Sequence, residues 1–231
     1  MGLRATLEHL VVHGVFGRRQ SGGRVDVVCE RQRCRTVGLR AALAHPELEV
    51  EVRDPSLIDS AHRFLGYVIS YINARSARIR AGETLSAGSW LVRWTRTARG
   101  DLEAWDLDPH TTSEFSPGAD MTVRFLAQQF EVCLRLGVPH VPTPANTLFS
   151  HEGKALSGQH VAFLRRAPSN GRHSGWFIHG SAGTQQETQL VTDHVGHLSE
   201  ERPDLVRYLG LPVGAHVDLQ SGERIAFKPD Q

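Results

Sequence analysis

Histidine is the residue type most open to a chemical reading in this sequence, with thirteen copies. His194 and His197 stand three apart with Asp193 beside them. On a helix that spacing would put two imidazoles on one face next to a carboxylate, a start towards holding a divalent metal. A working site needs further ligands and an outer layer of hydrogen-bond partners. The candidates for that role, His173 and His179, fall in a Gly-rich stretch whose direction the sequence does not fix. The expectation is therefore exposed helix histidines and no bound metal, with a metal-dependent hydrolase as the weaker enzymatic alternative. No phosphate-binding loop, dinucleotide turn, nucleophile elbow or paired-histidine zinc helix occurs, and these are the spacings that force cofactor or metal geometry. No catalytic residue and no cofactor is expected.

Arginine is the second chemical signal. The first forty residues hold eight arginines against Glu8, Asp26 and Glu30, a local excess of five positive charges. Phe16 is the one aromatic ring there, whereas nucleic-acid readers interleave aromatics with basic residues or present a recognition helix. A solvated or partner-facing surface is expected, with no nucleic acid bound. Over the whole chain 26 basic residues meet 25 acidic ones. That balance supplies no global field for non-specific attachment to nucleic acid or a membrane. Cys29, Cys34 and Cys133 are an odd three whose spacing fits neither a zinc ribbon nor a secreted disulfide framework, so a reducing, cytoplasmic home is expected. The amino terminus lacks the apolar run of a secretory signal.

The elements that must position these residues follow from periodicity. At 231 residues, 40% hydrophobic and 22% charged, the chain can bury one large core or two small ones and is neither disordered nor membrane-spanning in composition. Leu3, Leu7, Leu10 and Val11 predict a first helix. The stretch from Val25 to Ala44 mixes strand and helix signals. Glu47 to Arg53 alternates, with Leu48, Val50 and Val52 on one side and Glu47, Glu49 and Glu51 on the other, and predicts a half-buried strand. Asp54-Pro55 opens a long helix through Ile72. Trp90, Val92 and Trp94, then a turn at Arg99-Gly100-Asp101 and the LEAWDL run with Trp105, predict a tryptophan-rich hairpin. Val123, Leu126, Phe130, Cys133 and Leu134 mark a further helix ending at Gly137.

Three prolines between Gly137 and Asn146 predict a connector. The domain reading is thus an N-terminal α+β domain of helix and hairpin over 1–137, a Pro-rich connector over 138–145, and a C-terminal α+β domain over 146–231. The latter would hold a mixed sheet with one or two helices, including a helical stretch from Gln189 to Leu209. Within it Trp176 and Ile178 share one face of a strand and Phe177 and His179 the other. Burial of Trp176 is expected, with His179 outward.

Residues 146–227 resemble the immunity-protein domain numbered thirty-three among bacterial polymorphic toxin systems. The resemblance runs through Gly158, Val161, Phe163, Arg165 and Pro168, then Ser174-Gly175-Trp176, then Arg202-Pro203-Asp204 with Leu209, and finally Pro212 and Gly214. The SGW core and the closing P-x-G turn are its specific parts. Residues 41–137 resemble, more weakly, the amino-terminal half that accompanies this domain. The chain departs from the pattern where Arg166 stands in place of a common Glu, His173 in place of an Asp, and Ser181-Ala182-Gly183 in place of an acidic turn. The resemblance implies an α+β protein without catalysis that binds a cognate antibacterial toxin stoichiometrically in the cytoplasm. The alternative is an effector-loading adaptor or chaperone of a secretion system. Arg165, Arg166, Arg172, His173 and His179 are the expected partner-binding residues, a basic lip for an acidic toxin surface. The oligomeric state is left open.

Overall fold

The computed structural model describes residues 24–109, 111, 113–152, 155–156, 161–169, 171–180, 190–220 and 222–228. The helix expected around Leu3 to Val11 lies outside the described residues. The fold is α+β, as expected, and divides into two compact units at residues 1–127 and 128–231.

In the first unit β1 (Asp26–Glu30) and β2 (Arg33–Val37) form an antiparallel hairpin in which Cys29 lies opposite Cys34, and their sulfurs are bonded. The bond is local to this one hairpin, a pairing that the comparison with zinc ribbons and secreted disulfide frameworks does not cover, and Cys133 is left as a free thiol. A two-residue turn at Arg31 and Gln32 sets positions 29 and 34 face to face, a local spacing that the larger disulfide frameworks do not use. A short helix α1 (Leu39–Leu43) follows, its amino end held by the Glu47 carboxylate, which accepts from the backbone N–H groups of Gly38, Leu39 and Arg40. β3 (Leu48–Glu51) buries Leu48 and Val50 as its alternation predicts. Glu49, expected on the solvent side, is instead 5% exposed. The Arg33 and Arg99 guanidiniums reach its carboxylate at 2.7 and 3.0 Å, so the pairing that burial of a carboxylate requires is present.

Asp54 accepts the Ser56 N–H, Pro55 starts a single 3-10 turn, and α2 (Ile58–Arg75) buries Ala61, Phe64, Leu65, Val68 and Ile72. The sheet continues with β4 (Thr84–Ala87), β5 (Trp90–Arg96), β6 (Leu102–Leu107) and β7 (Phe115–Pro117). Its order is β1-β2-β3-β6-β5-β4, with β7 also on β6. The hairpin of β5 and β6 is the predicted one, and Trp90 and Trp94 are buried, Trp94 stacked on Phe64. Trp105 belongs to the hairpin but not to its core: it lies opposite Arg93, on the other, half-exposed face, and donates to Glu103.

α3 (Asp120–Leu136) runs through the division between the units. Asp106 of β6 receives the backbone N–H groups of Met121 and Thr122 and the Thr122 hydroxyl, a cap supplied from outside the helix. Cys133 is buried as expected. Leu134 is 84% exposed, because a residue one step along a helix is turned by about 100° from its neighbour.

The second unit is a six-stranded sheet of order β11-β8-β10-β9-β12-β13. Its strands are β8 (Leu148–Glu152), β9 (Val161–Arg166), β10 (His173–Gly180), β11 (Leu190–His194), β12 (Ala215–Asp218) and β13 (Arg224–Phe227). β8 and β10 are parallel and the other neighbours antiparallel. The helical stretch expected from Gln189 begins as strand β11 and becomes helix only at α4 (Val195–Glu201), before a 3-10 turn over Pro203–Tyr208. Val191 and Thr192 are β-branched, and such residues suit a sheet edge better than a first helical turn. Phe149, Leu164, Trp176, Ile178 and Val217 from the sheet, with Leu198, Leu205, Val206 and Leu209, form the core.

The proline-rich segment 138–145, expected to connect two units, is packed within the second. Val141 N–H donates to Gly210, Thr143 donates to Leu209, and the Trp176 indole donates to the Thr143 hydroxyl at 3.1 Å. His140 is buried against Gln129 of α3, and burial holds its pKa at about 4, so it stays neutral. Prolines here end the helix without loosening the chain, because the remaining donors and acceptors find partners in the sheet and in the turn after the 3-10 element.

Candidate functional site

Alternation along β9 and β10 decides what the second unit offers to solvent. Leu164, Arg166, Trp176 and Ile178 point into the core, so Phe163, Arg165, Phe177 and His179 point the other way. The register sets Phe177 opposite Arg165 and His179 opposite Phe163. Two stacked pairs result. The Arg165 guanidinium lies 4.1 Å from the Phe177 ring centre, a cation–π contact, and the His179 ring lies 4.4 Å from that of Phe163 at 15°. His173 joins the layer 5.2 Å from Phe177.

Hydrogen bonds fix the two imidazoles. His173 Nδ1 accepts the Gly175 N–H at 2.9 Å, so its Nε2–H donates to the Ser150 hydroxyl at 3.0 Å. Acceptance at Nδ1 requires the neutral ring, and burial lowers its pKa accordingly. His179 Nδ1 donates to Glu152 at 3.1 Å while the same carboxylate receives the Gly180 N–H at 2.9 Å. That leaves His179 Nε2 without a partner among the described residues. That nitrogen is itself screened from solvent, so what the layer presents outward is the edges of its rings and the Arg165 guanidinium. Among the described residues of the layer, Ser150 takes the His173 Nε2–H instead of giving its own proton to that nitrogen, so this pairing does not activate the hydroxyl as a nucleophile.

The five residues expected to bind a partner therefore separate. Arg165, His173 and His179 share the open face. Arg172 is exposed in the turn leading into β10, at the rim. Arg166 turns inward: it is 7% exposed, and its guanidinium donates to the carbonyls of Val141 at 2.9 Å and Leu211 at 2.5 Å. Burial pulls its pKa down to about 10, so it remains charged at neutral pH. Adjacent residues of one strand cannot both face out, which is the physical reason for the split. Phe163, Phe177 and Glu152 are not among the residues expected to bind a partner, although the period-two pattern puts Phe163 with Arg165 and Phe177 with His179.

Asp193, His194 and His197 do come together, with one ligand atom from each within 4.8 Å of the others. They do so at a strand end and in the first turn of α4 rather than along one helix, and His197 already bonds Asp193 at 2.6 Å. His173 and His179 are not part of this group; both are held on the sheet face.

The two glycines of the motif-bearing turns have no substitute. Gly175 has φ of 83°, and a Cβ there would lie 2.1 Å from the Ala167 carbonyl oxygen. Gly214 has φ of 85°, and its Cβ would lie 2.6 Å from that of Lys228. Comparison with known proteins falls on the same region: the Imm33-like domain matches residues 128–228, starting within α3 and taking in the proline-rich segment and the whole sheet. No curated protein and no solved structure matches the chain. No helix among the described residues is long and apolar enough to cross a membrane.

Proposed function

We propose, from the premise that residues 128–228 are an Imm33-like domain, that this protein is an immunity protein. It would bind one cognate antibacterial toxin through the open face of the C-terminal sheet and block it stoichiometrically, without turnover of its own. The observation that carries the reading is the layer of Phe163, His179, Arg165 and Phe177. Aromatic rings and arginine are the residue types that dominate interface energy, and here they are pre-stacked on a rigid sheet, so little ordering entropy remains to be lost on binding. Arg172 at the rim would steer an acidic partner. The encounter would take place in the cytoplasm, as the family resemblance implies.

Co-expression with the product of the neighbouring open reading frame tests the reading. Neutralisation, with a one-to-one complex recovered, is the expected result. A complex in which the toxin stays active would make the protein an adaptor instead. Phe177→Ala and Arg165→Glu should each weaken toxin binding by about 2 kcal/mol or more, and calorimetric titration with folded variants measures it. Equal affinity for wild type and both variants would move the interface to another face.

A further inference from the structure

The first unit carries a hollow of about 490 Å3 lined by four arginines, none of them near the sheet face discussed above in sequence. Three stretches supply them: Arg40 from α1, Arg78 from the segment after α2, and Arg96 and Arg99 from the end of β5 and the hairpin turn. His45 ties two of these stretches together. Its Nε2 accepts the Ile79 N–H at 3.0 Å, so its Nδ1–H donates to the Pro46 carbonyl at 2.7 Å. That arrangement needs a neutral ring, and burial, assisted by the charge of Arg78, lowers its pKa. The backbone next to Arg78 is thereby fixed at the mouth of the hollow.

Two of the guanidiniums have carboxylates: Arg40 meets Asp101 at 2.8 Å, and Arg99 meets Glu49 at 3.0 Å, an acid it shares with Arg33. Among the described residues Arg78 and Arg96 have no acidic partner, and none of the residues lining the hollow is acidic. Two unpaired guanidiniums beside two that already have carboxylates leave the hollow with uncompensated positive charge, which a bound anion relieves.

We propose that this hollow binds a small, multiply charged phosphate anion of the pyrophosphate class. A guanidinium presents a planar fork that pairs with two phosphate oxygens at once. The two unpaired forks, backed by two more, match an anion carrying several such oxygens better than a single carboxylate. The volume lies in the range of small-ligand sites. No Phe, Tyr or Trp lines it, so a nucleobase would find no ring to stack on, and the phosphate groups are what the site reads. The inference shares no residue with the toxin-binding reading and stands or falls without it.

Calorimetric titration of the intact protein with sodium pyrophosphate tests it, alongside sodium sulfate and poly-glutamate at matched ionic strength. Saturable one-to-one binding of pyrophosphate is expected, weakened at least about tenfold in the Arg78→Gln/Arg96→Gln double variant. Both side chains are exposed, so that variant should melt like wild type when no anion is added. A double variant that binds pyrophosphate as wild type does would overturn the proposal. So would absence of saturable binding, equal binding of sulfate, or tighter binding of poly-glutamate.

Discussion

Trp176 is fully buried, its indole N–H is satisfied by Thr143, and the ring stands between the sheet and the proline-rich segment. Trp176→Ala should cost roughly 3 to 5 kcal/mol in denaturant unfolding, while Phe177→Ala, one residue along on the open face, should cost under about 1.5 kcal/mol. Gly175→Ala should be worse than its size suggests, by at least about 2 kcal/mol, since both the left-handed backbone and the Ala167 carbonyl oppose a side chain. A Gly175→Ala protein with an unchanged melting temperature would show that the turn can relax. At this scale the sequence was readable where alternation applied: the opposite faces of Trp176 and Phe177 follow from period two alone. It was not readable for Arg166 or Glu49. Both are charged residues at positions that the fold closes over, and their partners, the Val141 and Leu211 carbonyls and the Arg99 guanidinium, come from distant parts of the chain.

Among the elements, α3 depends on a carboxylate that is not its own. Asp106 is buried under the first turn, and that burial raises its pKa to about 7, against the opposing effect of the Thr122 hydroxyl and the Met121 and Thr122 N–H groups. A carboxyl whose folded pKa lies above its unfolded value binds its proton more tightly in the native state. Its contribution is therefore fully present below about pH 4 and is lost as pH rises through about 7, with a slope of at most about 1.4 kcal/mol per pH unit. Asp106→Asn should flatten the fall in unfolding free energy between pH 4 and 7. Parallel slopes in the two proteins would mean that the site keeps its carboxylate ionised throughout. The long helices and the tryptophan hairpin were legible because each has many residues in one period. β11 was not, because five residues running straight into a helix give periodicity too little length to decide between 2 and 3.6.

For the whole molecule, the position of the division has a measurable result. A fragment beginning at residue 138, where the prolines suggest a boundary, lacks Gln129 and Cys133, which bond His140 and Gly210. It should show no cooperative melt, whereas a fragment beginning at residue 119 should show one. Cooperative unfolding of both would make the end of α3 dispensable. A proline cluster marks where a helix must stop, and nothing in composition says whether the segment beyond it lies outside or is clamped between neighbours. The same helix limits how this C-terminal part can be exchanged between proteins. The buried stripe of α3 runs unbroken from Val123 and Leu126 to Val132 and Cys133, across the 127/128 junction, so any splice made there has to be made in phase. One residue inserted would turn the later part of the helix by about 100° against the earlier part. Recombination at this junction is thus filtered by angular arithmetic as well as by sequence, since only a change close to a whole turn keeps the helix's own apolar stripe continuous.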